Sequence, residues 1–93
     1  MSELLYKTYV YDPIRDKEAA TYGKHRPLSE SIKSMREFCR KTNSYDNYMF
    51  IFKPEDSKLR SVYLDSKFKV IGRREFRELA KLARLKDLIG VTT

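Results

Sequence analysis

The sequence contains one cysteine, Cys39, so no disulfide can form within the chain. An unpaired thiol is typical of reducing compartments, and we therefore expect a cytoplasmic protein. No stretch approaches the roughly 18 consecutive apolar residues of a membrane-spanning helix, and the first residues lack the basic and apolar segments of a signal peptide. We expect no association with a membrane.

Residues that carry catalysis are also scarce. His25 is the only histidine, and no acidic residue stands beside it in the sequence to orient its ring. The sequence lacks a glycine-rich phosphate loop, a paired-cysteine motif and the spacing of zinc ligands. Cys39 falls on the apolar side of a predicted helix, where a buried and unreactive thiol is expected. We therefore predict a protein that is not an enzyme and that holds no cofactor or metal.

The composition is that of a small folded protein with a strong positive charge. Hydrophobic residues make up 41% and charged residues 35% of the 93 residues, enough for one core, so we treat residues 1–93 as a single domain. The 20 Lys and Arg residues exceed the 13 Asp and Glu residues by a net charge of +7. Such a protein is attracted to phosphate backbones and to acidic protein surfaces.

The first third of the chain predicts one strand and a long connection. Residues 4–11 are rich in aromatic and β-branched side chains, with neither face clearly polar, which predicts a strand. Asp12 and Pro13 end this strand and predict a short helical turn that reaches residue 20. The connection over residues 12–26 is long enough to be a binding loop or a linker. It ends in a basic cluster formed by Lys24, His25 and Arg26.

The rest of the chain predicts a helix, three strands and a second helix. Apolar residues recur at helical spacing from residue 28, and this first helix ends near residue 42. Strands follow at residues 48–52, 60–65 and 68–71, and the first of them is apolar on both faces, as a central strand is. The second helix begins at residue 73 and extends to about residue 84 or 89.

These elements predict an α+β fold in the order β-α-β-β-β-α. We expect a small antiparallel sheet of three to four strands, with the two main helices on one face and the first strand at an edge. In the second helix, Lys86 and Asp87 interrupt the apolar arc, so we expect an end or a bend there. The apolar arc itself consists of Phe76, Leu79, Ala80, Leu82 and Ala83.

The second helix also carries a cationic stripe, the most informative feature for function. At about 100° per residue, five cations project within roughly a 100° arc, and Glu78 is their one close carboxylate neighbour there. Four of the five are arginines, which suit two-point contacts with phosphate. The predicted phosphate contacts are Arg73, Arg74, Arg77, Lys81 and Arg84, assisted by Lys24, His25 and Arg26. We therefore predict non-enzymatic binding of DNA or RNA through the backbone, with no base-specific contact.

Two alternatives use other features of the sequence. A small regulator or inhibitor that binds an acidic surface of another protein would use the same cations, together with exposed apolar residues near Leu85, Leu88 and Ile89. A metal-dependent nuclease would require Asp12 and Asp16 to converge with a third carboxylate at an open cleft. A dimer is compatible with each alternative.

The aromatic side chains divide into two predicted groups. The phenylalanines expected in the core are Phe50, Phe52, Phe68 and Phe76. The tyrosines expected near the surface are Tyr6, Tyr9, Tyr11 and Tyr63. Exposed tyrosines on a sheet would be available to stack nucleobases or to contact a protein.

From residue 28 to residue 88, the order helix, three strands, helix resembles the double-stranded-RNA-binding domain. In that family the second helix opens with cations that face phosphates, and residues 73–77 (Arg-Arg-Glu-Phe-Arg) have a comparable spacing of cations. The resemblance implies binding of an RNA duplex. This chain lacks the Gly-Pro-His loop between the first two strands of the family and the glycine-rich approach to the second helix, and it has an additional N-terminal strand.

Overall fold

The computed structural model describes residues 4–21, 23–42 and 48–90, and its fold is α+β as predicted. The strands are β1 (Leu5–Asp12), β2 (Lys17–Ala20), β3 (Arg26–Pro27), β4 (Met49–Pro54), β5 (Val62–Leu64) and β6 (Val70–Ile71), and the helices are α1 (Leu28–Thr42) and α2 (Arg73–Leu88). The predicted order is present, with β2 and β3 added within the connection over residues 12–26.

All strand pairs are antiparallel, in the order β2-β1-β4-β5-β6, and the short β3 pairs with β1 on the same side as β2. The described residues therefore contain a six-stranded sheet rather than one of three to four strands. The predicted edge position of the first strand is wrong, because β1 has partners on both sides. Its eight residues are long enough for β2 and β3 to share one side while β4 occupies the other.

The predicted helical turn after Asp12 is wrong as well, because the chain reverses there and forms a hairpin with β2. The Asp12 carboxylate accepts hydrogen bonds from the backbone N–H groups of Ile14 (3.0 Å) and Arg15 (3.4 Å). Asp16 completes the turn with a positive φ of 52°, a conformation that Asp tolerates better than most residues. The carboxylate thus stabilises a turn where the sequence pattern suggested a helix cap.

The two helices lie on opposite faces of the sheet, so the prediction of helices on one face is wrong. On one face, Met35 of α1 packs with Phe50, Phe52 and Leu64. On the other, Phe76 and Ala80 of α2 pack with residues whose side chains alternate with the first set: Tyr11, Met49, Ile51 and Ile71. The sheet is therefore the middle of three layers, and each face of β4 is covered by a helix.

The end of the sheet is shorter than predicted. The predicted strand over residues 60–65 is reduced to β5, and that over residues 68–71 is reduced to β6. Phe68 has a φ of 64°, which takes it out of the extended conformation. Its ring stacks on Phe50 with centroids 4.6 Å apart, so packing holds this residue in a backbone conformation that is rare for a bulky side chain.

Neither helix combines the length and the apolar character that crossing a membrane requires, as judged over the described parts of the chain.

Candidate functional site

The predicted cationic stripe of α2 is only partly available to a ligand. Arg73, Arg74, Arg77 and Lys81 are exposed, whereas Arg84 is half-buried. Arg74 forms an ion pair with Glu78 at 3.7 Å, on the solvent side of the helix. The three other exposed cations form no ion pair with any residue that the structure describes, and their charges are therefore free to attract an anionic partner.

Arg84 has a structural role that the helical pattern did not reveal. Its Nη1 donates hydrogen bonds to the Tyr11 hydroxyl (3.2 Å) and to the Pro13 carbonyl (3.0 Å). The same nitrogen lies 3.7 Å from the Asp16 carboxylate. Arg84 therefore ties the last turns of α2 to the tip of the β1–β2 hairpin, and its guanidinium is occupied by the fold itself.

The hairpin tip completes this network through Tyr11. The Tyr11 hydroxyl donates a hydrogen bond of 2.5 Å to Asp16 Oδ1, and its ring packs against Phe76 with centroids 5.1 Å apart. Burial raises the pKa of the Tyr11 hydroxyl, and the hydrogen bond to Asp16 raises this pKa further, whereas Arg84 lowers it. Tyr11 is a buried core residue, so its predicted place on the surface is wrong.

An apolar row lies beside the free cations of α2. Its members, Leu82, Leu85, Leu88 and Ile89, are between 50% and 81% exposed. At about 100° per residue, Leu82 and Leu85 point away from the packed side of the helix, whereas Leu88 lies between Arg77 and Lys81. The helix runs without a break to Leu88, in agreement with the longer predicted bound, and the bend expected near residue 86 is absent from it. Leu82, which the helical pattern placed on the apolar arc, is exposed.

We call this combination the α2 outer surface. It consists of the cations Arg73, Arg77 and Lys81 and the apolar residues Leu82, Leu85, Leu88 and Ile89. Solvent-exposed leucines and isoleucines are unremarkable singly, but four of them within eight residues form a patch of the kind found at interaction sites.

A second basic surface lies on the opposite face of the sheet, in a cleft of about 740 Å³ between α1 and the β1–β2 hairpin. We call it the hairpin cleft. Its walls include Met35 and Phe38 of α1, and its floor includes Thr8, Val10 and Ala19 of the hairpin. The cleft exists because α1 does not extend over β2, all four residues of which are exposed. The short side chain of Ala19, which is paired with Val10 of β1, leaves the space beside α1 open.

The predicted basic cluster of residues 24–26 is divided by the structure. Lys24 and Arg26 line the hairpin cleft, whereas His25 is exposed and does not line it. In the pairing of β3 with β1, Arg26 lies opposite Tyr6, whose side chain packs into the core beneath α1, so both side chains lie on the α1 face of the sheet. This cluster and the α2 outer surface therefore lie on opposite faces, so the structure does not bring the two predicted groups of cations together.

The carboxylates required by the nuclease alternative have separate partners. Asp12 binds the turn backbone and forms an ion pair with Arg15 at 3.3 Å, whereas Asp16 binds Tyr11 and faces Arg84. Within the described ranges, no group of three or more His, Cys, Asp or Glu side chains is placed to hold a metal ion. The convergent site on which that alternative depends is therefore not formed by these residues.

The aromatic predictions are partly confirmed. Phe50, Phe52 and Phe76 are buried, and Phe68 is half-buried against the core, as expected. The remaining sheet tyrosines, Tyr6, Tyr9 and Tyr63, are half-buried and pack against the two core clusters. They do not form an exposed platform on the sheet. Cys39 is half-buried and packs against the core beneath α1, in agreement with its predicted position on the apolar side of the helix.

Two residues of the hairpin cleft were missed by the sequence reasoning. Lys17 and Ala19 belong to the segment Lys-Glu-Ala-Ala, whose residues favour helices, so its composition gives no signal for a strand. Only the length of β1 and the turn at Asp12 indicate a returning strand. Phe38 of α1 also lines the cleft and is 45% exposed.

Comparisons of the chain with protein-family models, with curated proteins and with solved structures find no match. The resemblance to the double-stranded-RNA-binding domain therefore stays a likeness of element order and cation spacing.

Proposed function

We propose that this protein is a non-enzymatic regulator that docks through the α2 outer surface on an acidic, partly apolar surface of another protein. The observation that carries the proposal is the row of exposed apolar side chains beside cations that form no ion pair with any described residue. A phosphate backbone offers nothing for leucine to pack against, whereas a protein surface offers both carboxylates and an apolar groove.

The spacing of the apolar row supports this mode of binding. Leu82, Leu85 and Ile89 stand at positions i, i+3 and i+7, the pattern with which a helix inserts its exposed side into a hydrophobic groove. The opposite side of α2 is fixed to the sheet by Phe76 and Ala80, so the helix needs no folding step before it docks. A preformed helix loses less conformational entropy on binding than a disordered segment does.

The charge of α2 favours an acidic partner over a second copy of the chain. Residues 73–88 contain six Lys and Arg residues and three Asp and Glu residues. Two copies that met along this helix would bring like charges together, which costs free energy, whereas an acidic surface is complementary. The cations would accelerate association and the apolar row would supply buried area.

The experiment is a comparison of matched variants of the immobilised full chain in nuclease-treated extract of the native cells. Leu85→Ser/Leu88→Ser removes apolar area, and Arg73→Glu/Arg77→Glu reverses charge. Lys33→Glu/Arg40→Glu is the control, because these two exposed cations lie on α1, away from both surfaces. We expect one stoichiometric partner that the wild type and the control retain, that both α2 variants lose, and that high salt releases.

The decisive outcome concerns the leucines. If a partner is lost by charge reversal but retained fully by Leu85→Ser/Leu88→Ser, the apolar row has no part in binding and the proposal is wrong. Circular dichroism of each variant checks that the helix content is unchanged.

A second candidate function is the predicted binding of DNA or RNA by Arg73, Arg74, Arg77 and Lys81. The absence of ion pairs at three of these cations among the described residues favours it. Its test is binding of labelled single- and double-stranded DNA and RNA across a salt series, with Arg74→Glu/Arg77→Glu alongside. Affinity that falls steeply with salt, that the charge reversal abolishes and that Leu85→Ser/Leu88→Ser leaves unchanged would select this candidate over protein docking.

A further inference from the structure

The hairpin cleft carries positive charge that its own carboxylates do not neutralise. Lys17, Lys24 and Arg26 line the cleft and form no ion pair with any described residue. The two acidic residues that line it have other partners. Asp12 pairs with Arg15 at 3.3 Å, and Glu18 pairs with Lys53 at 2.9 Å. The cleft is therefore suited to an anionic ligand.

The shape of the cleft limits the kind of anion. Its floor carries the short side chains of Thr8, Ala19 and Thr21, and its wall carries the apolar groups of Met35 and Phe38. The volume of about 740 Å³ lies within the range of about 300–1,000 Å³ that is typical of small-ligand sites. Such a space accepts a flat, partly apolar group, whereas a nucleic acid duplex is too wide to enter it.

We propose that the hairpin cleft binds a segment of single-stranded nucleic acid. A base lies against the wall formed by Met35 and Phe38, and the flanking phosphates lie at Lys17, Lys24 and Arg26. Single-strand binding sites combine these same two features, a positively charged groove that follows the backbone and an aromatic ring on which a base stacks. The site is separate from the α2 outer surface and does not depend on the function proposed for it.

An acidic peptide shares the negative charge of this ligand but not its shape. Carboxylates would satisfy the lysines, yet a Glu or Asp side chain would leave the apolar wall beside the small-residue floor unoccupied. A base fills that space and gains stacking free energy there, which is why the cleft favours nucleic acid.

The experiment measures fluorescence anisotropy of a labelled 12-nucleotide single strand titrated with the full chain. Ala19→Phe fills the cleft without a change in charge, and Phe is well accepted in strands. We expect this variant to weaken binding about tenfold, the effect of losing one stacked base. Lys17→Glu/Lys24→Glu removes two phosphate contacts and should lower the slope of log K against log salt by about 1.4.

Lys33→Glu/Arg40→Glu is the matched control, because it reverses two exposed charges on α1 that do not line the cleft. Single-strand binding that is unchanged in this control and weakened in the two cleft variants supports the proposal. Equal weakening in all variants, equal affinity for a duplex, or displacement of the strand by poly-glutamate at equal charge would each overturn it. Thermal unfolding of the variants shows whether they fold. The outcome is independent of the α2 variants that test protein docking.

Discussion

Arg84 should contribute to stability rather than to ligand binding, and the variant Arg84→Met tests this assignment. Methionine retains the apolar stem that packs along α2 but removes the hydrogen bonds to Tyr11 and to the Pro13 carbonyl. Tyr11 is 8% exposed and the side chain of Pro13 is fully buried, so water replaces these bonds poorly. Hydrogen bonds to charged groups contribute about 1.5–3 kcal/mol each when buried.

The expected loss is smaller than the sum of two such bonds. The Arg84 side chain is 34% exposed, so solvent compensates part of the loss, and the ion pair with Asp16 adds little because that carboxylate is 71% exposed. We expect the free energy of unfolding to fall by about 2 kcal/mol, which lowers Tm by roughly 8–16 °C in a domain of this size.

The assay is urea unfolding followed by circular dichroism at low and high salt. Arg77→Met is the control, because Arg77 is exposed on the same helix and has no ion pair within the described ranges; its effect should stay within about 0.5 kcal/mol. The difference between the two variants should persist at high salt, since hydrogen bonds in a partly buried site are screened weakly. Equal stabilities of Arg84→Met and Arg77→Met would refute the structural role of Arg84.

Three further predictions follow from single residues. Because folding raises the pKa of Tyr11, its neutral form stabilises the fold fully below the unfolded value of 10.0, and this contribution is lost as pH rises through the folded-state pKa. Tyr11→Phe should therefore lose stability less steeply than the wild type in urea titrations above pH 10.0. Parallel curves for the two proteins would contradict this. Phe68→Gly and Phe68→Ala both lose the stacking on Phe50, but Gly accepts the positive φ at this position. Phe68→Gly should therefore be more stable than Phe68→Ala by about 1 kcal/mol, as measured from Tm. The reverse order would show that the backbone at residue 68 is unstrained. Leu88 is 81% exposed, so Leu88→Ser should change the free energy of unfolding by no more than about 0.5 kcal/mol in the same assay, and a larger loss would place Leu88 in the core.

The periodic elements could be predicted because their side-chain pattern has one physical cause. In α1, apolar residues from Leu28 to Cys39 recur at helical spacing, and the helix spans Leu28–Thr42 as expected. The apolar run of β4 predicted a central strand, and β4 lies between β1 and β5. Burial dictates these patterns position by position, so they are visible without any knowledge of the fold.

The placement of the helices on one face was wrong although the sequence contained the opposing signal. In β4, Phe50 and Phe52 face α1, whereas Met49 and Ile51 face α2. A strand that is apolar on both faces requires a cover on both, and β1 has the same property, with Val10 on one side and Tyr11 on the other. The two-sided pattern of β4 therefore indicates both a central strand and a helix on each face of the sheet.

The candidate sites were less predictable because tertiary contacts decide which charges stay free. Arg84 has the same place on the helical wheel as Arg77, yet the hairpin tip lies beside Arg84 and occupies it. Lys17 lines the hairpin cleft only because β2 turns back along β1. Neither contact has a local sequence pattern. Arg84 meets residues about 70 positions away in the sequence, and Lys17 belongs to a segment of helix-forming residues that adopts a strand.

The position of Arg84 has a consequence for any charge scan of this protein. The hairpin that Arg84 holds is also the floor of the hairpin cleft, so a substitution of Arg84 alters the support of both surfaces at once. Loss of nucleic acid binding in an Arg84 variant would therefore be no evidence for a phosphate contact at this residue. The informative pairs are Arg73 with Arg77 on one face and Lys17 with Lys24 on the other, because each pair is exposed and lies on one side of the sheet. The affinity for a ligand held by one face depends on only one pair, whereas the affinity for a nucleic acid strand that wraps around the edge of the sheet depends on both pairs.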